Sequence, residues 1–149
     1  CGLWLELTGT SSGRCWPISW GVKKQNMTAS SSAESETVAL STNIRHETIP
    51  ILDMIAKMLG SNVPEPRMLA KVDNTQAISA VTKGFSKKLC YLERCHRCAI
   101  GVLHELYDRG ELEVEYAETT SHKGDGFTKA LTPAKFLRAR ELMAMSCDN

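Results

Sequence analysis

Aromatic side chains are scarce in this chain: three Trp, three Tyr and three Phe make up 6% of its 149 residues. With so few, Trp4, Trp16 and Trp20 read as core or sheet-face residues rather than as platforms for stacked bases. Long apolar runs are missing too. None approaches the roughly 18 residues that cross a bilayer, and no signal peptide is legible, so a membrane is not expected as a partner. Nor does charge of one sign prevail. Lys and Arg number 18 against 17 Asp and Glu, a net charge of +1, so composition by itself does not mark a nucleic-acid binder. Internal repeats are absent. What remains, 42% hydrophobic and 23% charged residues, is the make-up of one soluble globular domain with a single core.

Cysteine is the exception, with six in the chain. Cys90, Cys95 and Cys98 cluster, and the uneven placement reads as a reduced, intracellular protein rather than a disulfide framework. The spacing Cys90-x4-Cys95-x2-Cys98 matches the first three positions of a plant-type iron–sulfur set, with Cys147 as a fourth. Against that, Cys95 and Cys98 lie on the apolar stripe of a predicted helix, where cysteine acts as a small hydrophobe. A zinc site that adds His96 lacks paired-ligand spacing.

Along the chain, Leu3, Leu5 and Leu7 alternate with Trp4 and Glu6, and Ile18–Val22 alternates again; turn residues lie between, which predicts a hairpin. The chain opens without a methionine, directly in a strand-like run, and reads as N-terminally incomplete. From Glu34, apolar residues recur at helical spacing through Leu40, Ile44, Ile51, Ile55 and Leu59, with Gly60 as the stop. Pro50 predicts a kink or split near Ile49. Met68–Val72 reads as a strand, Asn74–Val81 as a short helix and Lys83–Lys88 as a basic loop. The stripe Tyr91, Cys95, Cys98 or Ala99, Val102 and Leu106 predicts one helix ended by Gly110. Glu111–Tyr116 alternates as a strand, and a helical C-terminus follows. The order β-β-α-β-α-α-β-α predicts an α/β fold with helices packed on a mixed sheet.

Three carboxylates fall at element boundaries: Glu36 at the head of the first helix, Asp73 at the end of the middle strand, Asp125 before the last helix. Open α/β sheets place ligands beyond the strand ends. Carboxylates gathered there repel one another unless cations lie between them. Two Mg²⁺ ions held in that way support phosphodiester cleavage. Each carboxylate also has a purely structural reading: a capping box formed by Ser31 or Ser32 with Glu34 or Glu36, an Asp73–Asn74 turn or cap, and the same for Asp125 between glycines.

The order of these contexts resembles a family. ISWGVKKQNMTASSSAESETVAL, KVDNTQAISAV and DRGELEVEYAETTSHKGDGFTKAL are similar, in order, to the three signature segments of the ribonuclease H domain of Ty1/copia-type retrotransposon polyproteins, and together cover most of residues 17–131. The resemblance implies a ribonuclease H-like domain over residues 1–131, followed by a helical tail over 132–149. It implies metal-dependent hydrolysis of the RNA strand of an RNA–DNA hybrid with two Mg²⁺ or Mn²⁺ ions. The family's glutamate falls on Glu36, with Glu34 as the neighbouring alternative, and its later aspartates fall on Asp73 and Asp125. Its first aspartate lies on an earlier strand and has no match within residues 1–20, where Glu6 is the one acidic residue; a first strand is therefore expected to be lacking. The family's Lys-His-Ile-Asp stretch is replaced by Arg94-Cys95-His96-Arg97.

Implied partners are the hybrid and the reverse transcriptase and integrase regions of a parent polyprotein, inside the cell, in a cytoplasmic virus-like particle or the nucleus. Lys83, Lys87, Lys88, Arg94 and Arg97 read either as a solvated face or as a phosphate grip. His122, three residues before Asp125, reads as a surface histidine, and His46, His96 and His104 belong to no recognisable constellation. The competing reading of the whole chain is a degenerate or domesticated module that keeps the fold and binds nucleic acid without cutting it.

Overall fold

The computed structural model describes residues 2–6, 14–21, 25, 28–60, 64–96, 98–118 and 131–142. The chain divides into two compact units, Cys1–Lys23 with Glu118–Asn149, and Lys24–Ala117.

In the first unit, β1 (Gly2–Glu6) pairs antiparallel with β2 (Cys15–Trp20), the hairpin that the alternation predicts. The second strand starts three residues before the predicted Ile18. Pairing shifts between Leu3, opposite Ser19, and Trp4, opposite Pro17, so Ile18 is left over in a bulge. Proline has no N–H for a ladder, and a bulge beside it removes that demand. Trp16, Ile18 and Trp20 form the exposed face of β2. Helix α6 (Pro133–Leu142) opens on proline, whose missing N–H costs nothing at a first helical position.

The second unit begins with α1 (Ser32–Asn43). Its N-cap is Ser31, whose hydroxyl accepts a 3.2 Å hydrogen bond from the Glu34 N–H. This helix has no simple apolar stripe, because Glu34, Thr37 and Ser41 are buried along one line of it. A π-helical segment (Ile44–Thr48) then leads into α2 (Ile49–Leu59), with Pro50 in the first turn. The predicted break at Pro50 is thus a widening: the Ile49 N–H bonds to the Ile44 carbonyl, five residues back. An ordinary helical turn would drive the proline ring into the carbonyl of residue 46, and the wider turn relieves that clash. Gly60 caps the end of α2 at φ +71°, as its place in the sequence predicts.

Strand β3 (Met68–Val72) pairs in parallel with β4 (Leu112–Tyr116), Met68 opposite Leu112 and Val72 opposite Tyr116. Between them lie α3 (Thr75–Lys83), α4 (Leu92–His96) and α5 (Ile100–Asp108). The single helix predicted from Tyr91 to Leu106 is in fact two, one ending at His96 and the other starting at Ile100, with Cys98 and Ala99 outside both. The break lets Cys98 turn inward, 3% exposed, while Cys90 and Cys95 face outward. One core cluster joins Ile44, Met68, Val81, Leu103 and Leu112, so α1's end, both strands, α3 and α5 share it. A second joins Val38, Ala80, Leu89, Leu92, Cys98 and Ile100. The described residues are therefore α/β, with one antiparallel and one parallel strand pair.

Candidate functional site

In the second unit, the segment that carries Asp73 is tied to the first turn of the helix that carries Glu36. Val72 closes β3, and Asp73, half-buried, follows it. Asn74 then caps α3: its Oδ1 accepts from the N–H groups of Gln76 at 2.9 Å and Ala77 at 3.4 Å. Its amide donates to the Ser32 hydroxyl, 3.3 Å away in the first turn of α1. One asparagine therefore ties the end of β3 to the head of α1. Glu36 lies one turn beyond Ser32 on the same helix face, and helical side chains lean back toward the N-terminus, here toward the Asn74 end.

Glu34 has a different setting. Two residues on a helix are about 200° apart, so Glu34 and Glu36 face nearly opposite ways. Glu34 is 2% exposed. Its Oε2 accepts from the Ser30 N–H at 2.6 Å, the Ser30 hydroxyl at 2.7 Å and the Tyr91 hydroxyl at 2.8 Å, and its Oε1 is 2.9 Å from His96 Nε2. The Ser30 hydroxyl and then the Ser30 N–H do most to hold its carboxyl at about 2; burial opposes them, and Tyr91 and His96 add to them. In a capping box the third helical residue reaches back to the N-cap N–H; here Glu34 reaches one residue further, to Ser30. Glu34 thus does more than complete a cap: it is the centre of a buried network joining α1 to Tyr91 and His96.

His96 is the residue that sequence reasoning passed over. Its side chain is 4% exposed and engaged with Glu34 across 62 positions of chain, a pairing with no local spacing to reveal it. The serine-rich stretch before Glu34 was the one legible signal, since it supplies two of the carboxylate's four donors. His104, also without a recognisable constellation in sequence, bonds the Val81 carbonyl at 3.0 Å and lies 3.5 Å from Asp108.

Asp125, His122 and Arg97 lie outside the described residues. Lys83, Lys87, Lys88 and Arg94 are all exposed on the stretch from the end of α3 to α4. Among the described residues, no three His, Cys, Asp or Glu side chains are grouped to hold a metal ion. No helix among them is long and apolar enough to cross a membrane. The chain matches no family model, no curated protein and no solved structure.

Proposed function

We propose that this chain is a ribonuclease H-like domain of a copia-type retroelement polyprotein, hydrolysing the RNA strand of an RNA–DNA hybrid. The observation that supports this reading is the Asn74–Ser32 hydrogen bond, which ties the residue after Asp73 to the first turn of α1, one turn before Glu36. The finer assignment to a ribonuclease H-like fold rests on the order of elements and on the three motifs.

Glu36 and Asp73, with Asp125, are the residues that would hold two Mg²⁺ or Mn²⁺ ions. Their chemistry fits, since hard carboxylate oxygens are the preferred donors for both cations. Bound ions of this kind activate water and offset charge on the leaving oxygen. The chain itself does the rest. Asn74 and the Ser31 cap fix the backbone from which the two carboxylates project. Lys83, Lys87, Lys88, Arg94 and Arg97 grip backbone phosphates without reading sequence, which suits a hybrid of any sequence. The reverse transcriptase and integrase regions of the parent polyprotein are the partners in this reading, inside the cell, in a cytoplasmic particle or the nucleus.

A second reading is a nucleic-acid-binding module without cleavage, in which the exposed Lys83, Lys87, Lys88 and Arg94 act on phosphates without the carboxylates. Incubation of a labelled hybrid with the chain in Mg²⁺ and in Mn²⁺ separates the two. Cleavage lost in both Glu36→Gln and Asp73→Asn, with helix content unchanged, is the outcome expected of the enzyme. Binding of the hybrid by the folded chain with no cleavage in either metal selects the binding module.

A further inference from the structure

Behind the Glu34 network lies a cavity of about 340 Å³, bounded by Ser41, Thr42, Arg45, His46, His96 and Cys98. All six belong to the second unit, from the last turn of α1, the π-helical segment and the stretch around α4. None is acidic. The wall offers a guanidinium, two imidazoles and two hydroxyls, a donor-rich set of the kind that receives an oxyanion. Glu34, the carboxylate bonded to the lining residue His96, is engaged on both oxygens with Ser30, Tyr91 and His96.

His96 makes this a built site rather than a surface hollow. Its ring is 4% exposed, and Nε2 is committed to Glu34. A carboxylate that accepts at this nitrogen leaves Nδ1 as the ring's free functional edge, and Nδ1 has no hydrogen bond among the described residues. A hydrogen phosphate suits that edge in either state of the ring, donating to a bare Nδ1 or accepting from a protonated one. The π-helical segment matters as well. Ser41, Thr42, Arg45 and His46 straddle the change from α to π winding, and such turns recur at functional sites because they re-aim side chains.

We propose that this cavity is a phosphate-binding site, with Arg45 and His46 at its exposed rim and His96, anchored by Glu34, at its buried wall. The site stands apart from Glu36 and Asp73 and does not depend on hydrolysis. The source of the phosphate is either a free phosphate or nucleotide, or a nucleic-acid backbone; the chemistry is shared, and the test separates the sources.

Inorganic phosphate is titrated into the full-length chain while the ¹⁵N resonances of the His96 ring are followed. Saturable movement of Nδ1 is expected, and Arg45→Gln, at an exposed position, should weaken it about tenfold, the loss of one charge-assisted hydrogen bond. Hybrid affinity is measured beside it by fluorescence anisotropy on the wild type and on Arg45→Gln. A comparable fall there assigns the site to backbone phosphate; unchanged hybrid affinity assigns it to a free phosphate or nucleotide. A His96 ring that does not respond to phosphate, or responds equally in Arg45→Gln, overturns the proposal. The Glu36→Gln chain should bind phosphate as the wild type does, so failure of this site and failure of the nuclease reading remain distinct.

Discussion

Asn74 performs two tasks whose energies can be separated. Replacing it with alanine removes the cap on α3, bonded to Gln76 and Ala77, and the donor to Ser32. Loss of an asparagine cap costs about 1 kcal/mol. The Ser32 bond, at 3.3 Å between exposed groups, belongs at the low end for a hydrogen bond, about 0.5 kcal/mol. Asn74→Ala should therefore destabilise the chain by about 1.5 kcal/mol, or about 3–6 °C in Tm. Ser32→Ala removes only the tether, about 0.5 kcal/mol, and alanine's better helix propensity returns a few tenths of that. The double variant should be less destabilised than the sum of the two by about 0.5 kcal/mol, the coupling between these side chains.

Circular dichroism at 222 nm through a guanidinium titration reads the helices concerned; tryptophan emission would not, since Trp4, Trp16 and Trp20 all lie in the other unit. Additive single effects would refute the tether, and with it the geometric basis for placing Glu36 beside Asp73. An Asn74→Ala effect under about 0.5 kcal/mol, the range of an ordinary surface change, would refute the cap. If cleavage is found, Ser32→Ala should reduce it well beyond its small effect on stability, because it loosens the carboxylates relative to one another.

Two further outcomes follow from single contacts. The carboxyl of Glu34 is depressed from 4.5 to about 2, so its contribution to stability is complete above about pH 5 and disappears as pH falls toward 2. Denaturation midpoints of wild type and Glu34→Gln should differ at neutral pH and converge near pH 2; a gap that ignores pH would refute the buried carboxylate. Gly84, at φ +68°, caps α3 with its α-carbon pressed against the His104 ring, where an added Cβ would sit 2.4 Å from Cδ2. Gly84→Ala should cost about 1–2 kcal/mol for the left-handed backbone alone, with a further loss that His104→Ala relieves; no change in denaturation midpoint would show that the turn yields.

Much of the fold is written locally. The alternation of Leu112 and Val114, the serine cap before Glu34, the proline at 50 and the glycines at 60 and 110 each act through neighbours within about a turn, so the strands, helix starts and stops are legible from sequence. Local signals misled where tertiary packing overrode them. The stripe from Tyr91 to Leu106 fits one helix, yet burying Cys98 and Leu92 together in the second core cluster requires the break before Ile100. Pro50 announced a disruption but not its form, because a π turn and a kink answer the same missing N–H.

The candidate site divides in the same way. Residue types and boundary positions single out Glu36 and Asp73 by themselves, and only the folded chain ties the segments that carry them, through an asparagine and a serine 42 positions apart. Helical geometry alone states that Glu34 and Glu36 cannot share a face. Which of them goes inward was decided by Ser30, Tyr91 and His96. Two of these lie about 60 positions away, and a buried carboxylate is tolerated only where donors converge on it, a condition that no local spacing can express.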